Sequence, residues 1–351
     1  MNSNINKNLF HNSKCVIVLG MHRSGTSVLT HAIETLGAHL GSQLIAANEG
    51  NEKGYFENIS IVRQNDKILK SLDCNWDSLS IPNLTNDQIA EYSVSLTDLL
   101  LSEYKNIDFW GIKDPRLIRL NNIWQSVFKN LNIMPYYLLA NRNPFEVANS
   151  LYVRNKIPIS ISLLLWVQHQ VDSLELLLNR GGLVVNYDAM LSNPKYEIER
   201  LAKFLNIDTN FHKNEINDFA SQFVNKSLNH NKNNTESPSL LGLELLCNTI
   251  YENLSQLSSL PNNLILDNDQ VYRCKTIISE ARNYFTKNEE FIFEIYNIKK
   301  THDIKTEEII FYYEDKIIKS NKEVGLLKSK LEWVTNRPSY LFLKKLHEIL
   351  H

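Results

Sequence analysis

Two glycines with four residues between them, Gly20 and Gly25 in GMHRSGTSVL, follow a β-branched apolar run and precede a helical pattern. This is the glycine spacing of G-x-x-x-x-G-K-[ST], where a lysine beside the second glycine reaches terminal phosphates. Thr26 stands in the lysine's place and Ser27 in that of the metal-binding hydroxyl. Backbone amides from Met21 to Thr26 can still converge on an anion, aided by the helix amino terminus. Arg23 offsets the missing lysine, and Ser24, Thr26 and Ser27 add hydroxyls. A permanently charged planar group beside a bridging oxygen stabilises charge as it leaves. The loop thus suits a 5′-phosphate whose leaving partner is not a further phosphate.

A second anion site is expected in NRNPFEVANSLYVRN. Arg142 closes an apolar run and Ser150 lies eight residues on, in a helix whose first turn accommodates Pro144. An arginine at a strand end and a serine on the next helix can grip one phosphate from two sides. Lys113, in WGIKDPR, also follows a strand-like run, and Asp114 is expected to orient Lys113 or Arg116. For a proton acceptor the pattern offers Glu57 in NEKGYFENIS: Gly54 permits a tight turn, Tyr55 and Phe56 can wall off water, and Glu57 opens the next helix. Two other readings stay open, Glu57 as a helix-start charge and His22 as the base.

These residues need elements to hold them. CVIVLG, FWGIKD, PYYLLANR and GLVVNYD are short apolar runs, each followed by an amphipathic stretch, which predicts βαβ units around a parallel sheet. The first strand is expected over residues 15–19 and the next helix over 26–36, closed by Gly37. Ligands of such sheets sit at the carboxyl ends of the strands, so functional residues are expected to cluster just after these four runs. Residues 159–180 predict an apolar helix on the sheet, with His169 as a packed residue. The expected fold is therefore α/β, a three-layer P-loop-type parallel sheet flanked by helices, with a helical C-terminal extension.

On these motifs the chain resembles the sulfotransferases that use 3′-phosphoadenosine-5′-phosphosulfate. GMHRSGTSVL is similar to their 5′-phosphosulfate loop, in the form with arginine before Ser-Gly-Thr found in tyrosylprotein sulfotransferases and many bacterial members. The Arg142-to-Ser150 spacing resembles their 3′-phosphate site. In VVNYDAMLSNPKYEIERLAKFLNI, Tyr187 matches a tyrosine that contacts the adenine region, and Asp188, Asn193 and Pro194 keep the family's look for turn and capping reasons. Lys113 resembles the lysine of the family's Lys-Asp-Pro element, and KGYFE is similar to a segment of bacterial members. The resemblance covers residues 14–232. It implies a sulfonate donor bound by His22, Arg23, Ser24, Gly25, Thr26, Ser27, Arg142, Ser150 and Tyr187, with Arg23 and Lys113 stabilising the leaving group and Glu57 as base. It implies no metal cofactor, and an acceptor hydroxyl on a carbohydrate or glycolipid. One departure is plain: FVNKSLNHNK resembles the nucleotide lid, but Asn229 stands where arginine is expected, leaving Lys226, His230 and Lys232 as candidates. A small-molecule kinase with a degenerate loop and a non-catalytic nucleotide-binding scaffold are the alternatives.

The 351 residues allow one large α/β core with an appendage. Boundaries are expected at 1–13 for a disordered tail, 14–235 for the α/β domain, 236–299 for a helical extension and 300–351 for a long helix. With 37 Lys and Arg against 39 Asp and Glu, the near-neutral balance argues against sequence-independent nucleic-acid binding driven by a basic surface. Four dispersed cysteines indicate buried thiols in a reducing compartment. An amino terminus without a signal-like apolar run, and the absence of any long apolar segment, predict a cytoplasmic protein. Ile310, Ile317, Val324 and Leu331 recur every seven residues, which fits either homo-oligomerisation through a short coiled coil or a helix packed on its own domain. RPSYLFLKKLHEIL fits ordinary packing or peripheral membrane contact.

Overall fold

The computed structural model describes residues 10, 13–46, 54–79, 83–223, 241–260, 266–290 and 292–293. The lid candidates Lys226, His230 and Lys232, the heptad segment and the amphipathic tail lie outside the described residues. The chain divides into two compact units, one formed by Met1–Asn234 and Leu245–Ile292, the other by Thr235–Glu244 and Phe293–His351. The first holds the sheet.

Four strands, β1 (Lys14–Leu19), β2 (Phe109–Lys113), β3 (Tyr136–Asn141) and β4 (Leu183–Asn186), lie in the order β2-β1-β3-β4, every pair parallel. They form where the sequence is continuously apolar, because a parallel sheet covered on both faces leaves no strand position to water. From Cys15 to Leu19 every side chain is at most 1% exposed. Side chains alternate between faces. Val16, Val18, Leu138 and Val185 point toward α1 (Thr26–Thr35) and α8 (Pro194–Leu205), meeting Leu29, Ile33, Ile198 and Leu201 in one apolar cluster. The opposite face carries Tyr137, whose hydroxyl accepts from Gln125 of α4 (Asn121–Asn130) at 2.8 Å. The long α6 (Ile159–Arg180) packs along β3, where Gln170 donates to the Ala140 carbonyl at 3.1 Å. His169 of α6 is 1% exposed, faces the Leu165 carbonyl at 2.8 Å and has its pKa lowered to about 3 by burial and then by Arg119. It is a packed residue, as expected.

The expected α/β fold with a parallel sheet between helices is the observed one. β1 starts one residue earlier than expected and α1 ends one residue earlier, before Gly37 at φ 93°. Around the sheet lie α2 (Ile59–Ser71), α3 (Asn86–Tyr104), α5 (Pro144–Asn155) and the short α7 (Tyr187–Ser192). Beyond α9 (Lys213–Asp218) come α10 (Leu241–Ser258) and α11 (Asn268–Lys287). Arg282 of α11 joins Asp172 of α6 at 2.6 Å. Among the described residues no helix is long and apolar enough to cross a membrane.

The chain leaves β1 for β2 on one side and later passes to β3 on the other. Open sheets of this kind bind their ligands beside such a reversal, at the carboxyl edge. Gly20, Asp114, Arg142 and Tyr187 are the residues that step off the four strands there.

Candidate functional site

The turn after β1 is shaped by three positive φ angles, Gly20 at 131°, Arg23 at 70° and Gly25 at 89°. Alternating backbone handedness aims successive amides into one concavity, which suits an anion. Gly25 precedes α1 without a side-chain cap, and no acidic residue occupies the helix's first turn. The amino-terminal amides of α1 are therefore not spent on an internal carboxylate. Gly25 is required by contact as well as by φ: a Cβ there would lie 2.4 Å from Cδ2 of Tyr187. Ser24 is fully buried, yet its hydroxyl has no hydrogen-bond partner among the described residues. A buried polar group left in this condition costs stability unless a ligand or water satisfies it.

Arg23, Ser150, Arg142 and Tyr187 come together beside this turn. Arg23 Nε donates to Ser150 Oγ at 2.7 Å, and Arg142 Nη1 donates to the Arg23 carbonyl at 2.9 Å. The Arg142 guanidinium lies 4.3 Å from the centre of the Tyr187 ring. Glu146, not foreseen from sequence, accepts from Arg142 Nε and Nη2 at 3.1 and 3.0 Å and holds the guanidinium in place. Ser150 thus meets Arg23 where the spacing had paired it with Arg142, because the β1 turn reaches across to α5. Asn143 caps α5 by accepting from Phe145 and Glu146, and Pro144 stands in its first turn as expected.

Arg154, one helical turn after Ser150, was also missed. Burial lowers its pKa, while Tyr55 and Glu57 raise it. It is in turn the largest electrostatic neighbour acting to lower Arg23, after burial itself. The four-residue step from Ser150 along a helix was the available signal.

Next to this cluster, Lys113 Nζ and Glu57 Oε1 form an ion pair of 2.6 Å, both residues 4% exposed. Burial raises the Glu57 pKa, against the downward pull of Lys113. The expectation that Glu57 opens a helix needs correction. α2 begins at Ile59, and Asn58 is its cap, accepting from the amides of Ser60 and Ile61. Glu57 sits before the cap, its carbonyl accepting from Ile45 at 2.8 Å. Its side chain is directed by Lys113, so a helix-start charge is the wrong description. Asp114 turns to Arg116, not Lys113: it accepts from the Arg116 amide at 3.0 Å, from its Nη1 at 2.9 Å and from Asn65 at 2.9 Å.

His22 packs edge-on against Trp76 with ring centres 4.5 Å apart, and its Nε2 is buried with no partner among the described residues. Burial, then Arg116, Arg154, Lys113 and His169, push its pKa well below 6.5, which favours the neutral imidazole. Ser27 Oγ points to the Tyr55 carbonyl at 3.5 Å, and Thr26 is buried at 3% exposure. Asn193 precedes α8 but makes no side-chain cap. Asn186 does the capping in this region, accepting from the amides of Asp188 and Ala189 at 2.9 and 3.1 Å.

No protein-family profile matches this chain, and no curated protein does. Among solved structures, a sulfotransferase domain from the Synechococcus PCC 7002 olefin synthase is similar at a TM-score of 0.39 and 16% sequence identity, over 76% of this chain and 94% of that one.

Proposed function

We propose that this protein transfers a sulfonate group from 3′-phosphoadenosine-5′-phosphosulfate to an acceptor hydroxyl on a carbohydrate or glycolipid. The observation that supports it most is the hydrogen-bonded chain from Ser150 to Arg23 to Arg142, which brings both arginines to one edge of the sheet, as binding of one doubly phosphorylated nucleotide would require. A placement on opposite faces would have ruled the reading out.

The residues present fit the donor. The glycine turn leaves helix amides and the unpartnered Ser24 hydroxyl for a 5′-phosphate, and Gly25 keeps that cradle free of a side chain against Tyr187. Arg142 and Ser150 would hold the 3′-phosphate, and Tyr187 the adenosine side. When bound, the nucleotide supplies a sulfonate already activated by its bond to phosphate. Lys113 and Arg23 stabilise the charge that gathers on the phosphate oxygen as the S–O bond breaks. Such electrostatic help is worth roughly 10²–10³ in rate for each donor. Glu57 takes the proton of the acceptor hydroxyl as the new S–O bond forms. In the ligand-free arrangement Lys113 is engaged with Glu57. A phosphate oxygen drawing Lys113 away leaves the carboxylate to act as base.

Titration calorimetry with adenosine 3′,5′-bisphosphate, without magnesium, tests the binding half; tight binding with weak competition by ATP is expected. ATP binding that requires magnesium would favour a kinase. Transfer of radiolabelled sulfate to a glycan panel tests the chemical half, and binding without transfer to any acceptor would favour a scaffold.

A further inference from the structure

Asn141 and Asn186 are the last residues of β3 and β4 and face one another in the sheet register. Both extend side-chain amides to α10. Asn141 Nδ2 donates to Ser255 Oγ at 3.0 Å and to the Tyr251 carbonyl at 3.3 Å, and Asn186 Nδ2 donates to Ser255 Oγ at 3.4 Å. Ser255 gives its own proton to the Tyr251 carbonyl at 2.8 Å. A serine hydroxyl has one proton to donate and two lone pairs to offer, and here all three are engaged.

The residues immediately after these asparagines are Arg142 and Tyr187, the pair in contact at 4.3 Å. Asn186 also caps α7, whose first residue is Tyr187, so one side chain ties that helix start to Ser255. We infer that Ser255 is a positioning residue for the nucleotide site, a hydroxyl in the helical extension that fixes the ends of β3 and β4 and thereby the spacing of Arg142 and Tyr187. This rests on the reading of those two residues as nucleotide-binding.

Attachment of α10 does not need the hydroxyl. Cys247, Ile250, Leu254 and Leu257 bury its apolar side to 4% exposure or less. A serine that bonds back to the fourth preceding carbonyl is, for the helix alone, less favourable than alanine. Its retention of both asparagine amides is what distinguishes this position. Sites that bind through preset geometry lose affinity when their supports loosen by fractions of an ångström.

The test uses the full-length chain as wild type, Ser255→Ala, Ser255→Thr and, as a packing control, Leu254→Ala. Adenosine 3′,5′-bisphosphate affinity is measured by calorimetry, and amide hydrogen exchange is followed without nucleotide. Ser255→Ala is expected to bind about three- to tenfold more weakly, the scale of one displaced hydrogen bond. Ser255→Thr, which keeps the hydroxyl, should bind like wild type, as should folded Leu254→Ala. Exchange should quicken at residues 143–147 and 187–190 in Ser255→Ala only. Wild-type affinity in Ser255→Ala, or an equal loss in Leu254→Ala, overturns the assignment. If the wild type does not bind the nucleotide, the functional reading fails separately. The exchange data then decide: unchanged rates in Ser255→Ala overturn the link between helix and strand ends, and faster rates at the two segments alone support it.

Discussion

Lys113 and Glu57 stand 56 positions apart in the chain and 2.6 Å apart in space, both almost wholly withdrawn from water. Each is the condition for the other's charge. Removing one partner of such a pair leaves an uncompensated ion, a loss of about 3–5 kcal/mol.

Glu57→Gln keeps the shape but removes the basic oxygen. Nucleotide affinity should stay near wild type while turnover falls about 10²–10⁴-fold, the worth of a general base. Unchanged turnover would move that role to His22. Both Glu57→Gln and Glu57→Ala leave the Lys113 charge uncompensated and should lower stability; Glu57→Ala, which also removes the hydrogen-bond acceptor, should lose more, about 3–5 kcal/mol in urea unfolding.

The same carboxyl gives a signed pH dependence. Its pKa is raised above the ordinary 4.5, chiefly by burial, so between 4.5 and the native value the folded state keeps a proton that the unfolded chain has released, and above it the carboxylate pairs with Lys113. Its contribution to stability is constant below about 4.5, falls as pH rises through the native value and is constant beyond it. The acidic limb of kcat/KM should lie in that same window above 4.5. With Lys113→Met, the carboxyl titration seen by carbon NMR should move to still higher pH; a downward move would contradict the pairing.

Arg142→Ala should weaken adenosine 3′,5′-bisphosphate binding by about 10- to 100-fold in calorimetry, with a smaller effect on kcat at saturation. Arg142→Lys should recover little, since an ammonium cannot bond Glu146 and the Arg23 carbonyl while stacking on Tyr187. Full binding by Arg142→Ala would remove this residue from the site.

Gly25→Ala should be among the more damaging single-methyl changes in the chain. It places a Cβ 2.4 Å from the Tyr187 ring at φ 89°, and a loss of about 2 kcal/mol or more is expected. Adding Tyr187→Ala removes the collision but not the backbone strain. The double variant should therefore be more stable than the sum of the single losses allows, which a double-mutant cycle in urea measures.

His22 lies under the influence of Arg154 as well as Arg116 and Lys113. Arg154→Ala should raise the His22 titration toward its ordinary value without reaching it, because burial, the larger cause, remains. Proton NMR of the imidazole reads this directly; no movement would place Arg154 outside the site.

Much of the frame was legible in the sequence because local rules produce it. Four apolar runs had to be strands of a covered parallel sheet, Gly20 and Gly25 occur where the backbone needs positive φ, and Pro144 marks the first turn of α5. Those rules also put Lys113 at the last position of its strand, Arg142 and Tyr187 directly after theirs and Arg23 in the turn after the first, since in such a sheet every strand exit lies on one edge.

What the sequence could not determine is which side chains meet across that edge. Ser150 bonds to Arg23, 127 residues away, and not to a second arginine nearby; Glu57 turns to Lys113 instead of serving α2; Asn141 and Asn186 converge on Ser255. Each of these follows from the order β2-β1-β3-β4 and the loops it brings side by side. Spacing along a chain fixes a partner only within a turn or two of helix or strand. Beyond that, the crossing of the chain and the demand that buried polar groups be paired decide between candidates that look equivalent in sequence.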